Sequence, residues 1–114
     1  MPAKLSTHVL DLTTGRPASG VKIELWTKGS MPALLKSVAT NADGRTDAPL
    51  LLAEEMTVGR FELVFFVKQY FATRGIDCVF LDEVPIRFSI TDPTASYHVP
   101  LLVTPWSYST YRGS

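Results

Sequence analysis

The sequence predicts an all-β protein, an antiparallel sandwich of about eight short strands with one short helix. Three observations predict it. Apolar and polar residues alternate through several short segments, the period of a half-buried strand. Glycine, proline and Asp-Gly turn signals separate those segments at roughly regular spacing. Only Lys68 to Arg74, closed by Gly75, has the pattern and the stop signal of a helix.

Taken in order, Leu5 to Leu12 reads as the first strand. Ser6, His8, Leu10 and Leu12 share one face, and Leu5, Thr7, Val9 and Asp11 the other. Neither face is purely polar, so cover on both sides is expected. Thr13 to Gly20 reads as a turn. Val21 to Lys28 is the second strand, with Val21, Ile23 and Leu25 on one face. Gly29 to Pro32 turns the chain, and Leu34 to Thr40 is a third strand. Asn41 to Asp47 is a tight polar loop built on Asp43-Gly44. A weak fourth strand is expected around Arg45 to Ala48. Pro49 to Thr57 reads equally as a helical turn or a loop.

Arg60 to Val67 is the strongest strand, with Phe61, Leu63, Phe65 and Val67 on one face. In the helix that follows, Tyr70 and Phe71 can pack on the sheet. Ile76 to Phe80 reads equally as strand or loop, and Leu81 to Glu83 as loop. Val84 to Ile90 is a strand, and Pro85 places its start at an edge or entry point. Thr91 to Thr94 is a turn. Ser96 to Thr104 and Trp106 to Arg112 are two last strands joined at Pro105.

At 114 residues the chain is expected to form one domain, residues 1–114. Eleven basic residues balance eleven acidic ones, which argues against nucleic acid or a membrane surface as partner. Zero net charge with many aromatics favours self-association. Cys78 is the only cysteine and reads as an apolar filler, so no intrachain disulfide is expected. Two histidines and one cysteine make a structural zinc site within one subunit improbable. The sequence shows neither an apolar leader nor a membrane-length apolar run, so a cytoplasmic protein is expected.

Three polar groups stand where a sandwich does not need them: His8 inside the first strand, Arg45 behind the Asp-Gly turn, and His98 in the penultimate strand. Each also has a bland reading, as a packed or exposed spacer or a solvated turn residue. His98 shares its face with Pro100 and Leu102; Ser107, Ser109, Tyr111 and Gly113 share another. If the first strand and the last two are sheet neighbours, both histidines and Tyr111 line one surface. The segment 96–114 is rich in aromatics and stops on Tyr111-Arg112-Gly113-Ser114, which suggests a docked end.

Leu5-Ser-Thr-His-Val-Leu-Asp11 with Gly15-Arg-Pro-Ala18, Asn41-Ala-Asp-Gly-Arg-Thr46, and Tyr97 to Ser114 resemble, in order and spacing, the three motifs of the transthyretin-like 5-hydroxyisourate hydrolases. The final Tyr-Arg-Gly-Ser is the most specific of them, since it separates the hydrolases from the hormone-carrying transthyretins. The resemblance implies a transthyretin-like fold and a homotetramer, a dimer of dimers with sites in a channel between subunits. It also implies hydrolytic ring opening of 5-hydroxyisourate to 2-oxo-4-hydroxy-4-carboxy-5-ureidoimidazoline in urate breakdown. His8 and His98 would handle protons, with His8 positioning or activating water. Arg45 would hold substrate and stabilise negative charge. Ser114 would orient water or a histidine, and Tyr111 would wall the pocket. No cofactor or metal is implied, although a histidine cluster can pick up zinc adventitiously.

This assignment suits the chemistry. Ring opening needs a base for water, a donor for the developing oxyanion and a proton for the leaving nitrogen. Histidine titrates near working pH, and the arginine fork matches the carbonyl and amide edges of a flat heterocycle. Two other readings stay open: a small-ligand carrier without catalysis, and a structural module that binds partners along an edge strand.

Overall fold

The computed structural model describes residues 2–114. Among the described residues ten strands and one α-helix form two facing layers. The first layer carries β1 (Leu5–Ser6), β2 (Val9–Asp11), β3 (Arg16–Pro17), β8 (Tyr97–His98), β9 (Leu101–Val103) and β10 (Tyr108–Ser109). Its ladder runs β10-β9-β2-β3, and β1 pairs with β8 beside it. The second layer is β5-β4-β6-β7, built from β4 (Lys22–Thr27), β5 (Leu34–Ala39), β6 (Gly59–Phe65) and β7 (Val84–Ile90).

The second layer follows the apolar alternation. Ile23 and Leu25, Phe61, Leu63 and Phe65, and Val84, Ile86 and Ile90 are buried, while their neighbours along each strand are more exposed. They share one core with Leu5, Val9, Leu101 and Val103 from the first layer. Pro85 lies on β7, an edge strand, where a missing N–H breaks no ladder. Helix α1 (Val67–Thr73) ends as its glycine predicts. Gly75, at φ 72°, gives its N–H to the Ala72 carbonyl, and Ile76 bonds back to Phe71.

The first layer departs from expectation in ways that matter for the site. Leu5 to Leu12 is split at Thr7-His8, and Ser96 to Thr104 at Val99-Pro100. The Thr7 hydroxyl takes the Val99 carbonyl at 2.7 Å, and Pro100 has no N–H to give. The two broken strands lie side by side and run parallel, with Ser6 opposite His98 and Val9 opposite Leu101. The sandwich is therefore not wholly antiparallel. Parallel neighbours need a long crossover, and here the whole second layer lies between them in sequence. Residues 16–17, expected in a turn, form a short strand on β2 because Gly15, at φ 71°, closes the hairpin early.

No strand forms at residues 45–48. The Asn41 side chain accepts the Asp43 and Arg45 amides, which removes them from any ladder. Residues 49–57 combine both readings: Leu51 bridges Leu5, and a single 3-10 turn follows at Ala53–Glu55. Residues 76–80 carry no strand. Of the last expected strand, only Tyr108–Ser109 pairs as a strand, and His98 then bridges Gly113. Cover on both faces of the first strand is not seen in the single chain: Leu5, Thr7, Val9 and Asp11 are buried, while Ser6, His8 and Leu10 are half-buried. Among the described residues no helix is long and apolar enough to cross a membrane.

Candidate active site

The condition left open in the sequence is met: the first strand and the last two are sheet neighbours. Side chains alternate, so Ser6 and His98, opposite each other in β1 and β8, emerge together on the half-buried face. Ser6 Oγ lies 2.9 Å from His98 Nδ1. Gly113 closes the other flank of the ring. Its amide donates to the His98 carbonyl at 2.7 Å and its carbonyl accepts from the His98 amide at 3.1 Å. The docked end is thus fastened by backbone bonds, while Trp106, Tyr108 and Tyr111 remain exposed.

His8 sits at the break between β1 and β2, and its Nε2 lies 2.9 Å from the Asp43 carbonyl oxygen. A carbonyl only accepts, so Nε2 carries the hydrogen and neutral His8 has its lone pair on Nδ1. The Asp43 loop is itself fixed. Gly44 accepts from the Val9 amide at 2.8 Å, and the Asn41 amide donates to the Arg45 carbonyl at 2.7 Å. Arg45 is held beside the first strand by this loop, and it lines a polar hollow of about 260 Å³ with Lys4, Ser6, Thr7 and Asp47.

Burial, then the nearby Arg45, His8 and Lys4, hold the His98 imidazole below its ordinary pKa. His98 is therefore neutral at neutral pH and able to accept a proton. Ser114 lines a second hollow of about 520 Å³, with Ser96, Leu52 and Lys4. Lys4 and Pro49 line both.

The structure thus groups His8, Arg45 and His98, with Ser114 one wall away. Tyr111 lies elsewhere in the single chain. It lines a groove with Tyr97, Val99, Ile86 and Phe88, whose neighbour His98 emerges on the opposite side of β8. Lys4, Ser6 and Gly113 were not singled out as site residues from the sequence. Lys4 and Ser6 carried a usable signal, since a period of two puts them on the face of His8. Gly113 stood only within the terminal Tyr-Arg-Gly-Ser motif, and its close approach to His98 left no periodic signal. No group of three or more His, Cys, Asp or Glu among the described residues is arranged to hold a metal ion.

Two imidazoles and a guanidinium within electrostatic reach of one another, beside a polar hollow, are groups of the kind that proton transfer next to a developing negative charge requires. Residues 5–113 match the HIUase/Transthyretin family, and the chain belongs to it. A 5-hydroxyisourate hydrolase 2 of Rhizobium meliloti (strain 1021) is 49% identical over 97% of this chain and 96% of its own length. The solved 5-hydroxyisourate hydrolase of Klebsiella pneumoniae superposes with a TM-score of 0.84 at 38% identity, covering 98% of this chain and 94% of that one. A solved (S)-allantoin synthase superposes with a TM-score of 0.93 at 45% identity over 99% of this chain, which spans 45% of that longer one.

Proposed function

We propose that this chain is a 5-hydroxyisourate hydrolase, acting as a single domain over residues 1–114. One observation carries the reading: a neutral His98 stands within electrostatic reach of Arg45 and His8, in a member of this family. In the proposed reaction, water adds to a ring carbonyl carbon and a histidine takes its proton. Arg45 steadies the oxyanion that forms. The ring C–N bond then breaks, the electron pair goes to nitrogen, and that nitrogen takes a proton from a histidine. The carbonyl carbon becomes a carboxylate. The charge on Arg45 and its place in the hollow support the oxyanion role. His98, held in its neutral form in the resting site, is available as the base, and His8 then positions water or protonates nitrogen. Ser114 orients water or a histidine from the adjoining hollow.

The working form is proposed to be a homotetramer in the cytoplasm. The exposed, stacked pair Phe80 and Trp106 and the free edges of β7 and β10 support association. So do Leu10 and Leu102, half-buried on the histidine face. Tyr111 would then wall a pocket shared between subunits. A carrier without catalysis fits the fold but not the polar, cationic hollow.

The test is a coupled ultraviolet assay, in which urate is oxidised in place and the decay of 5-hydroxyisourate is followed with and without the protein. Decay should be accelerated. His8→Ala, Arg45→Ala and His98→Ala should each reduce turnover about 10²–10⁴-fold in folded protein. Decay no faster than the spontaneous rate from a folded wild-type protein would favour the carrier.

A further inference from the structure

We propose that Ser6 is a positioning residue that fixes the tautomer of His98, keeping the hydrogen on Nδ1 and the lone pair on Nε2. The geometry of the contact stands by itself, but the choice of tautomer and its effect on turnover rest on the hydrolase reading, in which His98 is the base.

Ser6 and His98 are paired across parallel strands, so their side chains are neighbours by construction of the sheet. The 2.9 Å separation of Oγ and Nδ1 is a hydrogen bond between half-buried groups. On the far flank, a Cβ at Gly113 would lie 3.2 Å from His98 Cδ2. The ring therefore sits in a slot, with Ser6 at its Nδ1 edge and Gly113 at its Cδ2 edge. Turning the ring over would break the Ser6 bond and aim Nδ1 at Gly113, whose amide and carbonyl are already bonded to the His98 backbone. Among the described residues no protein group bonds Nε2. Nε2 is thus the nitrogen left for water.

Which nitrogen carries the hydrogen then follows from chemistry. A base must offer its lone pair to water, so Nε2 must be bare and Nδ1 protonated. Among the described residues the partner for that N–H is Ser6, whose hydroxyl can accept. An unrestrained neutral imidazole favours the opposite tautomer, with hydrogen on Nε2, so something has to hold this one. His8 makes the contrast. Its Nε2–H is committed to the Asp43 carbonyl, leaving Nδ1 bare. The site would hold one imidazole of each tautomer, set by a hydroxyl in one case and a carbonyl in the other.

The test combines ¹⁵N NMR of the histidine rings, above their titration, with kinetics on the same samples. In the wild type His98 should show a protonated Nδ1 and a bare Nε2. Ser6→Ala should shift His98 toward the Nε2–H form and reduce kcat by about tenfold, the scale of one hydrogen bond, with KM little changed. Ser6→Thr, which keeps the hydroxyl, should restore both. A wild-type His98 with hydrogen on Nε2 would overturn the proposal, whatever the mutants do. So would Ser6→Ala with unchanged tautomer, or with a changed tautomer and unchanged kcat. A wild type that does not accelerate hydroxyisourate decay would sink the hydrolase reading alone, since the NMR spectra still decide the tautomer.

Discussion

Gly113 lies so close to His98 that an added Cβ would stand 3.1 Å from His98 Cβ and 3.2 Å from Cδ2. Two backbone hydrogen bonds between the same residues, at 2.7 and 3.1 Å, prevent the segments from moving apart. Chain segments 15 residues apart in sequence are thus welded where the candidate base sits. Gly113 does not occupy the left-handed region, so alanine there meets no backbone strain of its own. The nearest atoms in its way are the Cβ and ring of His98. Gly113→Ala should displace the ring by some tenths of an ångström and reduce kcat roughly 10–100-fold, given how steeply catalysis falls with misplacement. The melting temperature should change little. Wild-type turnover in this variant would show that the ring has slack.

The pH dependence follows from the lowered affinity of His98 for protons. Burial first, then Arg45, His8 and Lys4, disfavour the imidazolium. The neutral, base-competent form therefore persists to lower pH than in a free histidine. The acid limb of kcat/KM should fall below the ordinary value of 6.5. Lys4→Gln removes one cation, makes the imidazolium less costly and should move that limb to higher pH. The same shift acts on stability. The unfolded chain takes the proton at higher pH than the folded one, so stability contributed by neutral His98 is lost as pH falls below 6.5. A limb that moves down in Lys4→Gln would contradict the proximity of these charges.

Two glycines with nearly equal backbone angles should respond very differently to alanine. Gly15, at φ 71°, has nothing within 4 Å of an added Cβ. Gly15→Ala should cost only the left-handed conformation, about 1–2 kcal/mol. Gly44, at φ 73°, would drive its Cβ into the Val9 carbonyl oxygen. That carbonyl already accepts from Ala18, and Gly44 itself accepts from Val9, so neither partner can retreat freely. Gly44→Ala should cost about 3–4 kcal/mol by urea unfolding. It should also reduce turnover in the fraction that folds, because Arg45 is the next residue. Equal costs for the two variants would mean that the loop is not packed on β2 as described.

How much of this was legible depended on the range of the interaction. The alternation in β4, β6 and β7 identified the buried faces because each strand reports its own burial. Gly75 marked the helix end because its role is local. His8, Arg45 and His98 stood out as polar groups that the core did not need. The parallel pairing of Ser6 with His98 was not legible, since it depends on partners 92 residues apart. The breaks at Thr7-His8 and Val99-Pro100 were equally hidden, because a side-chain hydroxyl from one strand takes a carbonyl of the other. Gly113 stood out only as part of the terminal Tyr-Arg-Gly-Ser motif, for a close approach leaves no trace in alternation or composition.

Away from the site, Asp11 should prove to be the polar residue on which stability depends most. It is 1% exposed and still fully partnered. Its Oδ1 accepts from the Thr13 amide at 2.8 Å and from the Thr13 hydroxyl, and its Oδ2 from the Tyr70 hydroxyl, also at 2.8 Å. The first two bonds hold the β2–β3 turn, and the third ties α1 to β2. Burial, then Asp11, pushes the Tyr70 phenol above its ordinary range, as a hydroxyl donating to a carboxylate should behave. Asp11→Ala strands both a buried phenol and a turn amide and should cost about 3 kcal/mol. Tyr70→Phe removes one donor and leaves the carboxylate its Thr13 bonds, so about 1–2 kcal/mol is expected. The double variant should cost less than the two together, because once Asp11 is gone the phenol has no buried partner to lose. Urea unfolding of the four proteins at pH 7 measures this directly. Neither residue lines the two hollows around Lys4, so kcat of the folded fraction at low temperature should stay near wild type. Additive costs would show that the helix is held by Phe71 and its apolar neighbours rather than by this hydrogen bond.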